Sequence, residues 1–210
     1  MACRARGGYL AFLGRISPEK RADRAVEIAA RVGLPLKIAA KIDKADQPYW
    51  EDVIKPIVNN NRNAEFVGEI SEAEKGEFLG NACALLFPID WPEPFGLVMI
   101  EAMSCGTPVI AFRRGSVPEI VEDGVSGFIV DDIESAVDAA GQIDALSRAE
   151  VRRCFERRFT AERMALDYVA LYRSLAGGQA PADSRHFHDD HLIRAIHVMG
   201  EDCATLAAGS

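Results

Sequence analysis

The sequence lacks the features of a membrane-spanning, secreted or nucleic-acid-binding protein. Its longest apolar run, residues 82–89, is far shorter than the roughly 18 residues of a membrane span. The N-terminal segment Met1-Ala-Cys-Arg-Ala-Arg-Gly-Gly8 has no apolar core like that of a signal peptide. A formal net charge of −8 argues against a nucleic-acid partner, which needs a clustered basic surface. We therefore expect a cytoplasmic protein that does not bind nucleic acid.

Cysteine pairs and clustered metal ligands are also scarce. The five cysteines are odd in number, and no two stand at C-x-x-C spacing, so neither a disulfide framework nor a structural zinc site is expected. Cys83 and Cys105 lie in apolar stretches and are interpreted as core thiols. The cluster His186-Phe-His188-Asp-Asp-His191 has a spacing that a metal accepts, but no rigid element frames it, so it is interpreted as a polar tail. We predict no metal site.

Short, continuous apolar runs alternate with amphipathic helical patterns along three-quarters of the chain. Continuous apolar strands are typical of parallel strands buried on both faces. Their alternation with helices predicts an α/β fold, a single doubly wound, Rossmann-like parallel sheet of about six strands with extra C-terminal helices. The predicted strands are residues 9–13, 36–40, 65–67, 84–87, 108–112 and 127–130.

Helix-start and helix-stop residues delimit the segments between these strands. Ser17 is the predicted N-cap of the first helix, with Pro18 in its first turn and Gly33 at its end. Ser71 and Glu74 form a capping box for the helix after the third strand. The other helices are predicted at residues 48–58, 96–105, 116–121, 133–146, 149–157 and 161–175. Residues 8–176 are the predicted domain, and 177–210 a linker and tail with at most one helix.

Two loops at the carboxyl ends of strands carry unusual charges. Ligands of such sheets bind outside these ends. Arg15 follows the first strand, and Lys20 stands near a helix start, where a cation opposes the helix dipole unless a bound anion such as a diphosphate compensates. An ordinary surface pair of Lys20 with Glu19 or Asp23 is the alternative.

The segment Glu93-Pro-Phe-Gly-Leu-Val-Met-Ile-Glu101 joins the fourth strand to a helix. At Gly96 a bare backbone can approach a ligand, and the N–H groups of a helix N-terminus suit phosphate or sugar oxygens. Glu101 stands in an otherwise apolar helix, where its carboxylate can accept two hydrogen bonds from a ribose diol. The alternative is that Glu93 and Glu101 are a dipole partner and a solvated helix residue.

Three segments together resemble the group 1, or family 4, retaining glycosyltransferases. They are Gly14-Arg-Ile-Ser-Pro-Glu-Lys20, the run from Glu93 to Ala111, and Gly115-Ser-Val-Pro-Glu-Ile-Val-Glu-Asp-Gly-Val-Ser-Gly-Phe128. The resemblance covers about residues 8–175. It implies the GT-B fold, two Rossmann-like domains facing across a cleft, and identifies this chain with the C-terminal, donor-binding domain. The acceptor-binding N-terminal domain is expected to be absent, so that the chain binds a donor but is incomplete as a catalyst.

The resemblance also implies roles for individual residues. The donor is a UDP- or GDP-sugar, and no metal or other cofactor is needed. Arg15 and Lys20 would hold the diphosphate, Glu93 the sugar and Glu101 the ribose, and the base would lie near Lys41 and residues 67–70. The donor-binding set is Gly14, Arg15, Lys20, Lys41, Val67, Gly68, Ile70, Glu93, Phe95, Gly96, Leu97, Val98 and Glu101, of which Arg15, Lys20 and Glu93 are the catalytic candidates.

Other functions remain open at this point. A phosphorylase or epimerase would keep the fold and a related donor site, and a pyridoxal phosphate enzyme would need a Schiff-base lysine. A non-catalytic nucleotide-sugar-binding module is a further alternative. A dinucleotide-binding dehydrogenase is disfavoured because Gly14-Arg-Ile-Ser replaces Gly-x-Gly-x-x-Gly after the first strand. The arginines between Arg152 and Arg163 are interpreted as a solvated helix face, with contact to an anionic membrane surface as the alternative. The sequence does not predict an oligomeric state.

Overall fold

The computed structural model describes residues 8–175, and the chain divides into two compact units, Met1–Thr160 and Ala161–Ser210. The first unit contains the whole sheet. The second is described only for its helix α9, Ala161–Leu175, whose predicted bounds are confirmed. The linker and tail predicted at 177–210, including the histidine cluster, lie outside the described residues.

Six parallel strands form one sheet in the order β3-β2-β1-β4-β5-β6, which confirms the predicted fold class. Successive residues of β1 face opposite sides, so Leu10 and Phe12 belong to one core cluster and Tyr9 and Ala11 to the other. Burial on both faces is the reason that the strands read as continuous apolar runs. The strands are β1 Tyr9–Arg15, β2 Leu36–Lys41, β3 Ala64–Gly68, β4 Ala82–Phe87, β5 Val109–Phe112 and β6 Gly127–Val130.

Helices cover both faces of the sheet and mostly match the predicted segments. The capping box of Ser71 and Glu74 is confirmed, since the Ser71 N–H donates to Glu74 Oε2 at 2.8 Å. The helices of this unit are α1 Ala22–Val32, α2 Gln47–Tyr49, α3 Lys55–Asn59, α4 Glu72–Asn81, α5 Leu97–Ser104, α6 Val117–Ile120, α7 Ile133–Gln142 and α8 Arg148–Arg158.

The first helix starts later than predicted. Pro18–Lys20 is a separate 3-10 turn, closed by a hydrogen bond from the Lys20 N–H to the Ser17 carbonyl at 3.1 Å. Arg21 then takes a left-handed backbone, φ 54°, and α1 begins at Ala22. Ser17 is the N-cap residue of this 3-10 turn, with Pro18 in its first position, but it does not cap α1, and its side chain makes no capping hydrogen bond. Lys20 therefore ends a turn and does not stand in the first turn of a helix.

The helix predicted at residues 48–58 is interrupted by a wider segment. Trp50–Ile54 form a π-helical turn between α2 and α3, in which the Lys55 N–H donates to the Trp50 carbonyl. Pro56 is the physical reason, because it has no N–H and its ring would clash with the carbonyl four residues earlier. The helix predicted to reach residue 146 likewise ends at Gln142, followed by a 3-10 turn, Ile143–Ala145.

Three cysteines lie within residues 8–175. Cys105 and Cys154 are free. Cys83 is buried in the core, as predicted, but it is disulfide-bonded and so is not a free thiol. No helix in this range is long and apolar enough to cross a membrane. The same range holds no group of three or more His, Cys, Asp or Glu residues that could bind a metal ion.

The arginines of α8 pair with acidic side chains on the protein surface. Arg152 bonds to Glu156 at 2.7 Å, and Arg158 lies 3.3 Å from Glu122. Arg153 pairs with Glu150. Such pairs are typical of a solvated helix face. Contact with a membrane surface stays a prediction.

Candidate functional site

A crevice opens where β1 and β4 part at their carboxyl ends. The two strands are paired only at Tyr9, Leu10 and Ala11 of β1, with a register shift after Tyr9, whereas β1 pairs with β2 as far as Arg15. The chain order reverses between these two neighbouring strands, which is where open α/β sheets bind ligands. The space holds two adjoining cavities, of about 400 Å³ and about 340 Å³. Their shared wall consists of Leu13, Gly14, Leu97 and Val98.

The first cavity contains a largely buried ion pair. Lys20 Nζ lies 2.5 Å from Glu93 Oε2, and the two side chains are only 18% and 12% exposed. The Trp91 indole N–H donates to the same carboxylate oxygen at 2.9 Å. Lys20 Nζ also lies 5.3 Å from the centre of the Trp91 ring. Separating a buried ion pair is costly, so an anion that binds Lys20 must offset the contact that Lys20 loses with Glu93.

Arg15 stands at the mouth of this cavity with half of its side chain exposed. It makes long contacts, 3.3 Å to Glu19 and 3.4 Å to Asp43. Lys41 bonds to Asp43 at 3.0 Å, and this bond, followed by that of Arg15, lowers the pKa of Asp43. The same partner raises the pKa of Lys41. These exposed contacts are weak, so Arg15 is available to a bound anion.

The N-terminus of α5 forms the wall between the cavities. Gly96 precedes the helix with a left-handed backbone, φ 79°, and a Cβ there would lie 2.6 Å from Met99 Cε. Glycine is therefore required at this bend. The first N–H groups of a helix have no intrahelical acceptor and can bind oxygens of a ligand. Leu97 is 65% exposed and, with Val98, lines both cavities.

The loop after β5 braces the loop that carries Glu93. Gly115 has φ 51°, and a Cβ there would lie 2.3 Å from the Glu93 carbonyl oxygen. The Ser116 N–H donates to that oxygen at 2.9 Å, and the Ser116 hydroxyl donates to the Phe95 carbonyl at 2.8 Å. The Glu93 backbone is therefore fixed from behind by main-chain contact.

The second cavity carries Glu101 and a lysine that the sequence analysis missed. Lys75 Nζ lies 3.2 Å from Glu101 Oε1 and 2.6 Å from Glu72, and all three residues line the cavity. The hydrogen bond that Lys75 donates to Glu72 raises the pKa of Lys75 most, and the one that it donates to Glu101 adds to this. A cation in the first turns of a helix was available as a signal, because Lys75 follows the predicted capping box of α4.

Residues 5–159 match the family described as glycosyl transferases group 1. The chain belongs to the group 1 glycosyltransferases. This group 1 chain is 30% identical over 216 residues to a D-inositol 3-phosphate glycosyltransferase of Geodermatophilus obscurus, covering 91% of the chain and 45% of that relative. It is 32% identical over 157 residues to the alpha-maltose-1-phosphate synthase of Mycobacterium tuberculosis, covering 72% and 40% respectively.

Two solved structures extend the comparison. AviGT4, a glycosyltransferase involved in avilamycin A biosynthesis, matches with a TM-score of 0.67 and 31% identity over 83% of this chain and 53% of that one. Anabaena HepE, solved with UDP and glucose, matches with a TM-score of 0.70 and 20% identity. The match covers 80% of this chain and 49% of HepE, and it shows that the two share a fold. The group 1 chain spans about half the length of these proteins, or less.

Most of the predicted site residues of this group 1 chain lie around the crevice. Val67 and Gly68, at the end of β3, line neither of the two cavities, whereas Ile70, just after that strand, lines the second. Their contact with a base stays a prediction. The first cavity is lined by Gly14, Arg15, Lys20, Glu93, Phe95, Gly96, Leu97 and Val98, and the second by Gly14, Lys41, Ile70, Leu97, Val98 and Glu101.

Proposed function

We propose that this chain is the donor-binding domain of a family 4 retaining glycosyltransferase and holds a nucleotide-diphosphate sugar across the two cavities. The observation that carries the proposal is the division of charge along one crevice. The first cavity has an excess of positive charge, with Arg15 and Lys20 against the single carboxylate of Glu93. The second has an excess of carboxylates, with Glu69, Glu72 and Glu101 against Lys41 and Lys75. A donor has the same division, with an anionic diphosphate at one end and a neutral ribose diol at the other.

The diphosphate belongs in the first cavity in this proposal. Arg15 and Lys20 bind its oxygens, and the N–H groups of Leu97 and Val98 contribute at the start of α5. When the bond from the anomeric carbon to the phosphate oxygen breaks, the electron pair stays on the diphosphate. Fixed cations and N–H groups stabilise that charge without reorganising. We therefore propose that transfer needs no metal ion.

The two carboxylates have different ligands in this proposal. Glu101, held by Lys75, accepts hydrogen bonds from the ribose hydroxyls in the second cavity, with the base towards Lys41 and Ile70. Glu93 faces the hexosyl group once Lys20 turns to the diphosphate. HepE, whose structure was solved with UDP and glucose, supports a uridine donor. The acceptor would bind to a facing domain, in a cytoplasmic enzyme.

Calorimetric titration tests the proposal. UDP or GDP should bind more tightly than uridine or guanosine, because the nucleosides lack the diphosphate that Arg15 and Lys20 recognise. The titrations are repeated with EDTA, and affinity should not change. No binding of either diphosphate at millimolar concentration would overturn the proposal. Hydrolysis of UDP- or GDP-hexoses then separates a transferase domain from a module that binds a donor without turnover.

A further inference from the structure

Asp90, in the loop between β4 and α5, is surrounded by three arginines. Its Oδ2 lies 2.9 Å from Arg24 and 3.2 Å from Arg21, and its Oδ1 lies 3.3 Å from Arg114. Partial burial acts to raise the pKa of Asp90, but Arg24 and Arg114 outweigh it, and the pKa lies below its ordinary value. Asp90 does not line either cavity of the crevice. Any effect of Asp90 on a ligand in the crevice must therefore act through other residues.

The main chain of Asp90 joins the two segments that carry the buried ion pair. The Asp90 N–H donates to the carbonyl of Glu19 at 2.8 Å. Glu19 precedes Lys20 in the 3-10 turn, and Asp90 precedes Glu93 by three residues in its loop. Neither segment belongs to an α-helix or a strand, so regular hydrogen bonding does not fix the distance between Lys20 and Glu93. The contacts of Asp90 supply that constraint.

The carboxylate of Asp90 extends the constraint to two further elements. Arg24 belongs to α1 and also donates to the Pro88 carbonyl at 3.4 Å. Arg114 belongs to the loop after β5, next to the Gly115 that packs on the Glu93 backbone. One side chain thus connects α1, the loop of Glu93 and the bracing loop behind it.

Arg21, which joins the 3-10 turn of Lys20 to α1, has an unfavourable backbone conformation. It is the one described non-glycine residue with a positive φ, 54°, and it separates the 3-10 turn of Lys20 from α1. A left-handed backbone is unfavourable for a residue with a Cβ. The Arg21 guanidinium is held by Asp90 at 3.2 Å and by Asp23 at 2.8 Å. Asp90 is the partner that belongs to the loop of Glu93.

We propose that Asp90 is a positioning residue: it holds the turn of Lys20 against the loop of Glu93 and thereby sets the first cavity for the diphosphate. This inference rests on the proposed function for its ligand, but its geometry can be tested without one. Asp23 provides a matched control, because it pairs with the same Arg21 and does not touch the loop of Glu93.

The first experiment needs no ligand. In a Trp50→Phe background Trp91 is the only tryptophan, and its indole N–H bonds to Glu93. Asp90→Asn should increase acrylamide quenching of Trp91, whereas Asp23→Asn should leave it unchanged. Equal quenching in both variants, with cooperative unfolding retained, would show that Asp90 does not position this loop.

The second experiment measures UDP and GDP affinity by calorimetry. Asp90→Asn should weaken binding of whichever diphosphate the wild type binds by about tenfold, the effect of losing roughly one well-placed interaction. Asp23→Asn should change it less than about twofold. In a Lys20→Met background the effect of Asp90→Asn should largely disappear, because two residues that act through one contact are not additive.

The outcomes separate the two hypotheses. If the wild type binds neither diphosphate, the proposed function fails, and the Trp91 quenching still decides the positioning role. If the wild type binds and Asp90→Asn binds equally well, only the positioning role fails. An equal loss of affinity in the Lys20→Met background would show that Asp90 does not act through Lys20, and would overturn the positioning role.

Discussion

Replacing Gly115 with alanine should deform the crevice by pushing on the main chain of the loop that carries Glu93. Gly115 lies behind the loop of Glu93, and its added Cβ would lie 2.3 Å from the Glu93 carbonyl oxygen and 2.5 Å from the Glu93 nitrogen. These are main-chain atoms, which cannot rotate away as a side chain can. The loop must therefore shift, and the Glu93 carboxylate must move with it.

Gly124→Ala separates this displacement from the intrinsic cost of the backbone. Gly124 also has a positive φ, 73°, but a Cβ there would meet nothing within 4 Å. Its substitution should cost only the left-handed backbone term of about 1–2 kcal/mol. Gly115→Ala should cost that amount plus an overpacking term of about 1–3 kcal/mol. The difference between the two variants estimates the clash alone.

Two measurements follow from this pair of variants. Urea denaturation gives the free energy of unfolding, and calorimetry gives the affinity for UDP and for the intact donor sugar. Gly115→Ala should lose donor affinity by about tenfold, corresponding to about 1.4 kcal/mol, whereas Gly124→Ala should bind as the wild type does. Identical stability and affinity for the two alanine variants would refute the argument, because the bracing contact would then have no mechanical effect.

Three further predictions concern the charged side chains of Arg15, Lys75 and Arg148. Arg15→Ala should weaken UDP binding about tenfold and leave uridine binding unchanged, since a charge-assisted hydrogen bond contributes about 1.5–3 kcal/mol; unchanged UDP affinity on calorimetry would remove Arg15 from the site. Lys75→Met should weaken UDP binding modestly. In a Glu101→Gln background Lys75→Met should have no further effect, because Lys75 acts by orienting the Glu101 carboxylate. Additive losses of affinity in the double variant would contradict this role of Lys75. Arg148→Met should lower the free energy of unfolding by about 2–4 kcal/mol, because the carbonyls of Gly80 and Ala82, each 2.8 Å from the guanidinium, lose their partner. Unaltered urea unfolding would count against that account.

The sheet could be predicted from the sequence because its determinants are local. Each strand is a short apolar run, and every residue of β4 is buried. The errors are mostly of length: β1 extends through Gly14 and Arg15, which remain paired with β2 although they are not apolar. Helices after clear capping residues, such as Ser71, were also predictable.

The failures concern contacts between distant parts of the chain. Ser17 has the residue type of an N-cap, but Arg21 breaks the helix, and its partner Asp90 is 69 residues away. Lys75 meets Glu101 across 26 residues, and neither local pattern indicates the other. Local propensity predicts elements, whereas side-chain pairing between loops depends on how the elements pack.

The short stretch of pairing between β1 and β4 has a consequence for the dynamics of the protein. That seam is paired only over Tyr9 to Ala11 and divides the sheet into two halves. Arg15 and Lys20 belong to one half, and Glu93 and Glu101 to the other. A ligand that contacts all four would cross-link the halves where the strands do not. Its binding should therefore slow amide hydrogen exchange at the seam more than at either edge of the sheet, because the donor links the two halves where β1 and β4 are not hydrogen-bonded to each other.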